Sequence, residues 1–103
     1  MDYTKLGFQT RQIHAGLNRN DSTCSRGAAI YPTAAYRFPT CEYAANLFEL
    51  SQPGNIYTRL QNPTNSAYEE RIAALYGGVG AVATSSGMAA TLVAVTMLAS
   101  EGD

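Results

Sequence analysis

The sequence predicts an α/β layer fold, and three observations predict it. Ser66-Ala67-Tyr68-Glu69 has the form of a helix-capping box, and Tyr68, Ile72 and Leu75 follow at i, i+4 and i+7. Val79 to Thr84 (VGAVAT) is an apolar run of strand length, closed by the small-residue turn Ser85-Ser86-Gly87. Met88 to Ala99 is then apolar nearly all round, the mark of a buried helix. Helix, strand, turn and buried helix in that order open a layered sheet structure.

The remaining elements follow along the chain. Thr10 to His14 predicts one or two helical turns stopped by Gly16, and Asn18 to Ser22 is turn-rich. Ile30-Tyr31-Pro32-Thr33 and Tyr36-Arg37-Phe38-Pro39 are expected to be extended, because a residue before proline is pushed towards β or polyproline dihedrals. A long irregular segment of this kind is usual in an arm that wraps a neighbour. Thr40 is the expected N-cap of a helix from Cys41 to about Leu50, with Glu42 in its first turn and Pro53-Gly54 ending it. Residues 54–64 (GNIYTRLQNPT) form a loop that feeds the next helix, whose cap is Ser66 or, slightly earlier, Thr64 or Asn65. Asn62 is expected to organise the Asn-Pro-Thr turn, and Gly77-Gly78 to stop the helix. Residues 1–40 thus read as arm-like, and helix 87–99 needs a sheet to cover it. Alone, the chain is expected to aggregate or to depend on oligomerisation.

Composition sets the function classes. Of 103 residues 46% are hydrophobic and 15% charged, which suits a folded chain with much of its surface covered by other protein. A net charge of -1 gives no basic footprint for nucleic acid and no attraction to a membrane surface. Residues 87–99 are too few to span a bilayer, and no cationic segment with an apolar run opens the chain, so a cytoplasmic protein is expected. Cys24 and Cys41 have neither a C-x-x-C pattern nor a His pair nearby and are expected to be free thiols, with no metal site.

Two short stretches can carry chemistry. Thr84-Ser85-Ser86-Gly87-Met88 places a small-residue turn ahead of a helix, where unpaired N–H groups and the helix dipole favour an anion such as phosphate. Neither a G-x-G-x-x-G fingerprint nor a P-loop lysine is present, and such turns are more often only structural. Tyr57-Thr58-Arg59 offers a guanidinium fork and a phenol two residues apart, on one side of an extended loop. Its bland alternative is an exposed arginine in a surface pair. His14 is the single histidine and is expected to be structural, Tyr31 and Tyr36 to pack the arm, and Met88 and Met97 to fill a core.

GNIYTRLQNPTN, EERIAALYGG and ATSSGMAA, in this order and spacing, resemble the N-terminal part of the Cys/Met metabolism pyridoxal-phosphate (PLP) enzymes, and the likeness extends from FQTRQIHAG through IYPTAAYRF to the final EGD. LFELSQPGNIYTR is most like the O-acetylhomoserine sulfhydrylase branch. The resemblance implies a fold-type I PLP-dependent transferase, aspartate aminotransferase-like, with residues 1–53 as the N-terminal arm at a subunit interface and residues 54–103 as the start of the large PLP-binding domain. It implies that Tyr57 and Arg59 reach the cofactor phosphate of a neighbouring subunit, while Ser86, Gly87 and Met88 serve the phosphate of their own. A homo-oligomer follows, a dimer completing the cofactor site and assembled into a tetramer.

PLP catalysis needs a lysine to hold the cofactor as a Schiff base and an acidic partner for the ring nitrogen. The sequence has one lysine, Lys5, in the N-terminal stretch, so no catalytic residue is assigned and the chain by itself is expected to be inactive. For the whole enzyme the resemblance implies γ-replacement on a small amino-acid substrate: O-acetyl-L-homoserine with sulfide or methanethiol gives homocysteine or methionine and acetate. The alternatives are a cystathionine γ-synthase or γ-lyase or a methionine γ-lyase of the same family, or, from another class, a non-catalytic fragment that binds phosphate or dimerises.

Overall fold

The computed structural model describes residues 3–17 and 23–103. A 3-10 turn (Tyr3–Lys5) precedes four α-helices, α1 (Phe8–His14), α2 (Cys41–Phe48), α3 (Pro63–Tyr76) and α4 (Gly87–Leu98). The turn predicted over Asn18 to Ser22 lies outside the described residues.

Local chemistry accounts for the helix ends. Thr40 caps α2, its hydroxyl accepting from Tyr43 N–H at 3.1 Å. That helix stops at Phe48, before Pro53-Gly54, where Leu50 turns left-handed at φ 58°. The cap of α3 is Asn62 and not Ser66, Thr64 or Asn65: Asn62 Oδ1 accepts from Thr64 N–H at 2.8 Å, and Pro63 takes the first helical position. Asparagine is among the strongest caps, and proline there has a preset φ and lacks the N–H that would otherwise be orphaned. Glu69, freed from a capping box, accepts instead from Ala83 N–H at 2.8 Å. Gly77 closes α3 at φ 69°, in the left-handed conformation expected of it.

Two expectations are corrected. Val79 to Thr84 forms no strand, because a strand needs ladder hydrogen bonds and no neighbouring strand is present among the described residues. Helix α4 forms from a Ser86 cap but is exposed, with Leu92 63% and Met97 80% accessible. Met88, expected in a core, is exposed too. The apolar surface of α4 is there; the sheet to bury it is not among the described residues.

The chain's surface shows the same shortfall. Its accessible area is 8395 Å², against about 5,600 Å² expected for a folded monomer of this mass. The radius of gyration of 16.3 Å compares with about 13 Å for a domain of this length. Two helices do pack closely. Gly16 (φ +73°) brings the end of α1 against the α3 backbone, and each helix lends the other an arginine. Arg11 Nη1 donates to Ala74 O at 2.8 Å, and Arg71 Nε donates to Ala15 O at 2.9 Å. Both acceptors lie at C-terminal ends, where helix carbonyls lack intrahelical donors, so the two helices cap each other. Elsewhere Leu47 of α2 is buried against Gly54, and Phe38 of the arm meets Phe48 edge-on at 6.0 Å.

Candidate functional site

The loop that carries Tyr57 and Arg59 is built on the arm. Ala35 and Tyr57 form an antiparallel bridge, with Tyr36 N–H donating to Ile56 O at 3.3 Å and Thr58 N–H to Ala34 O at 2.8 Å. The chain then turns, and Tyr57 O accepts from both Leu60 N–H (2.9 Å) and Gln61 N–H (3.0 Å). Tyr57 and Arg59 therefore share a side through a turn rather than through strand alternation. The Arg59 guanidinium carbon lies 5.4 Å from the Tyr57 ring centroid, in cation–π range, and both residues are exposed. A guanidinium stacked in this way keeps its N–H fork open to an anion.

Asn62 is the buried centre of this region at 4% exposure. Its amide nitrogen donates to Tyr31 O at 3.1 Å and to Thr58 Oγ1 at 3.0 Å, while its oxygen caps α3. Thr58 donates its hydroxyl to Thr33 O. Thr64 adds a parallel tie, accepting from Tyr31 N–H at 2.8 Å and donating to Ala29 O at 3.3 Å. Sequence reasoning found Asn62 as a turn former and missed Thr58 and Thr64. Their polar neighbours are about thirty residues away in the chain, at Tyr31 and Thr33, and only the Tyr-x-Arg and Asn-Pro-Thr frames around them marked the place.

The second cluster is the start of α4. Ser86 is extended (φ -156°, ψ 157°), and its hydroxyl accepts from Ala89 N–H at 3.1 Å while its carbonyl accepts from Ala90 N–H. Thr84 secures the turn by donating to Ser86 O at 2.9 Å. Gly87 and Met88 are the first two helical residues, so their N–H groups have no carbonyl a turn earlier and point out of the helix end. A Cβ at Gly87 would meet nothing within 4 Å, which leaves room for an incoming group. Two outward donors at the positive end of a twelve-residue helix suit an anion. Ser86 is better described as the cap that aims them.

The five predicted residues thus fall into two groups, Tyr57 with Arg59 and Ser86 with Gly87 and Met88. Among the described residues no hydrogen bond or ring contact joins the groups. None of the five lines the cleft of about 530 Å³ between α3 and residues 78–81, which holds Glu69 and Glu70. Cys24 and Cys41 are free and exposed, no His/Cys/Asp/Glu group able to hold a metal is found among the described residues, and no helix there is long and apolar enough to cross a membrane.

The chain is similar to proteins from several organisms. It is 52% identical over 98 residues to O-acetyl-L-homoserine sulfhydrylase 1 of Thermus thermophilus, covering 95% of this chain and 23% of that protein. It is 50% identical over 97 residues to the O-acetyl-L-homoserine sulfhydrylase of Corynebacterium glutamicum, covering 94% and 22%. Among solved structures, an O-acetylhomoserine (thiol)-lyase of Campylobacter jejuni, described with N'-pyridoxyl-lysine-5'-monophosphate, superposes with a TM-score of 0.87 at 39% identity, over 95% of this chain and 24% of that one. The chain spans less than a quarter of the length of the curated relatives it matches here. The family model for "Cys/Met metabolism PLP-dependent enzyme" matches residues 9–103, and the chain, with the fold-type I start that its structural neighbours share, belongs to that family.

Proposed function

We propose that these residues are the N-terminal part of a PLP-dependent γ-replacement enzyme that converts O-acetyl-L-homoserine and sulfide to homocysteine and acetate. In this reading residues 1–53 are the interface arm and residues 54–103 open the cofactor domain. The observation that carries it is the pair of outward N–H groups at Gly87 and Met88, set by the Ser86 cap, on a chain whose relatives are named as sulfhydrylases.

The residues present fit the phosphate end of the cofactor. Gly87 and Met88 offer two donors at the start of α4, with open space at the Gly87 Cβ position, and Arg59, stacked on Tyr57, offers a charged fork. In this reading each group serves a different subunit's phosphate, in a cytoplasmic homo-oligomer with the dimer as its working unit and a tetramer as its full form. The single lysine, Lys5, closes the 3-10 turn at the N-terminus, and no catalytic role is given to it.

Held by a lysine, PLP supplies an electron sink for charge that develops beside the substrate's α-carbon. The contribution of this chain is to bind and orient. Gly87 and Met88 N–H groups would offset phosphate charge at the helix terminus, and Arg59, with Tyr57, would hold the phosphate of a neighbouring subunit. A cofactor fixed at its phosphate presents its reactive end in one direction, which favours one reacting geometry at the substrate.

The test is turnover by the complete gene product that contains these residues. Incubation with O-acetyl-L-homoserine and sulfide is expected to give homocysteine and acetate in equal amounts, with methanethiol as a second donor giving methionine. Cystathionine formed preferentially from added cysteine, or ketoacid and ammonia released without a donor, would replace this reading with a γ-synthase or a γ-lyase.

A further inference from the structure

We infer that Thr58 and Asn62 are positioning residues that hold the Tyr57–Arg59 pair facing phosphate, an inference that rests on the functional reading above. Thr58 sits between the two side chains proposed to meet the phosphate, yet its own N–H and hydroxyl bind the protein. Its N–H donates to Ala34 O at 2.8 Å, its hydroxyl donates to Thr33 O, and the same oxygen accepts from Asn62 Nδ2 at 3.0 Å. Asn62 also donates to Tyr31 O and accepts from Thr64 N–H. One buried amide therefore joins the arm, the Tyr57–Arg59 loop and the first turn of α3.

That joint is needed because little else holds the loop. The backbone pairing with the arm is a single bridge at Ala35 and Tyr57, and so short a pairing is marginal in water. Tyr57 and Arg59 are exposed, and their side chains lie against each other. An arginine on a loosely held backbone must lose both backbone and rotamer freedom when it closes on a phosphate, which weakens binding. With Thr58 fixed at three points, the backbone part of that loss is already met before the ligand arrives.

The experiment compares two ligands, PLP and pyridoxal, which differ only in the phosphate, titrated into the cofactor-free complete gene product. Thr58→Val preserves shape and removes the hydroxyl. Asn62→Asp keeps the acceptor for Thr64 N–H but removes both donors. Each is expected to raise the Kd for PLP about tenfold, the effect of one well-placed hydrogen bond, and to leave pyridoxal within about twofold. Thr58→Ser is expected to restore PLP affinity. Equal weakening of both ligands would reduce Thr58 and Asn62 to general structural residues, and unchanged PLP affinity in both variants would overturn the inference outright. Asn62→Asp carries the comparison independently should Thr58→Val fail to fold. Arg59→Ala, run in parallel, separates the two levels: without a phosphate-specific loss there, the functional reading falls, whereas a loss at Arg59 with none at Thr58 or Asn62 sinks this inference alone.

Discussion

Replacing Gly16 by alanine tests how α1 is seated on α3. At φ +73° an L-residue pays about 1–2 kcal/mol for the left-handed conformation. The added Cβ would stand 2.1 Å from Ala67 O, 3.0 Å from Ala67 C and 3.2 Å from Arg71 N, all of them backbone atoms that cannot swing aside. Relief requires the helices to separate by roughly an ångström, and overpacking of this kind adds about 1–3 kcal/mol. The same movement lengthens the bonds from Arg11 to Ala74 O and from Arg71 to Ala15 O, so a total near 3 kcal/mol or somewhat above is expected. Gly77→Ala is the matched control. Its φ of +69° is nearly the same, but its Cβ meets nothing within 4 Å, so it carries only the conformational part, about 1–2 kcal/mol. Urea denaturation of the complete gene product, followed by far-ultraviolet circular dichroism, should place Gly16→Ala well below Gly77→Ala in midpoint. Equal midpoints would refute the close approach of α1 to α3 as a stabilising feature.

Three further outcomes are expected. Gly87→Pro should leave stability within about 1 kcal/mol, since proline suits the first helical position and Ser86 is already extended, while PLP affinity falls about tenfold for want of one donor; unchanged affinity by fluorescence titration would remove the Gly87 N–H from the site. Arg71→Met keeps the aliphatic stem but strips the fully buried Ala15 of its carbonyl's donor, and should lower stability by about 1–3 kcal/mol in the same urea assay. Ser86→Ala should destabilise the start of α4 by about 1 kcal/mol and speed amide exchange at Ala89, and exchange that stays slow there would show that the cap is not what holds this end.

The parts of the chain that were legible in the sequence are those set by neighbours a turn away. Thr40 is a cap whose hydroxyl serves the N–H three residues on, and Gly77 ends α3 because its left-handed conformation suits glycine. The cap of α3 was misplaced because Ser66 and Glu69 fit a capping box as a pattern, while Asn62-Pro63 is the stronger start. Two features were out of reach for a different reason. The ties from Asn62 to Tyr31 and from Arg71 to Ala15 cross 31 and 56 residues, and no periodicity announces such pairs. Val79 to Thr84 had the composition of a strand, but strand formation is a property of two segments, and the second is not among the described residues.

The two halves of the candidate site are held by different physics, and this bears on how each responds to the rest of the protein. The Tyr57–Arg59 loop is fixed by polar ties within the chain, through Asn62, Thr58 and Thr64. The Gly87–Met88 end depends on the direction of α4, a helix whose Leu92, Val95, Met97 and Leu98 are all exposed. A helix of twelve residues with an unburied apolar face is marginal in water whatever its cap contributes, because tertiary packing supplies most helix stability. The Tyr57–Arg59 half is therefore preassembled on the arm, whereas the Gly87–Met88 end is fixed in direction only when α4 is packed. Amide exchange should register the difference directly: in the 103-residue chain, Thr58 N–H and Thr64 N–H should be protected more than the α4 amides, and in the complete gene product the α4 amides should overtake them. Strong protection throughout α4 in the short chain would refute that division, since the helix would then be stable without the surface that its composition requires.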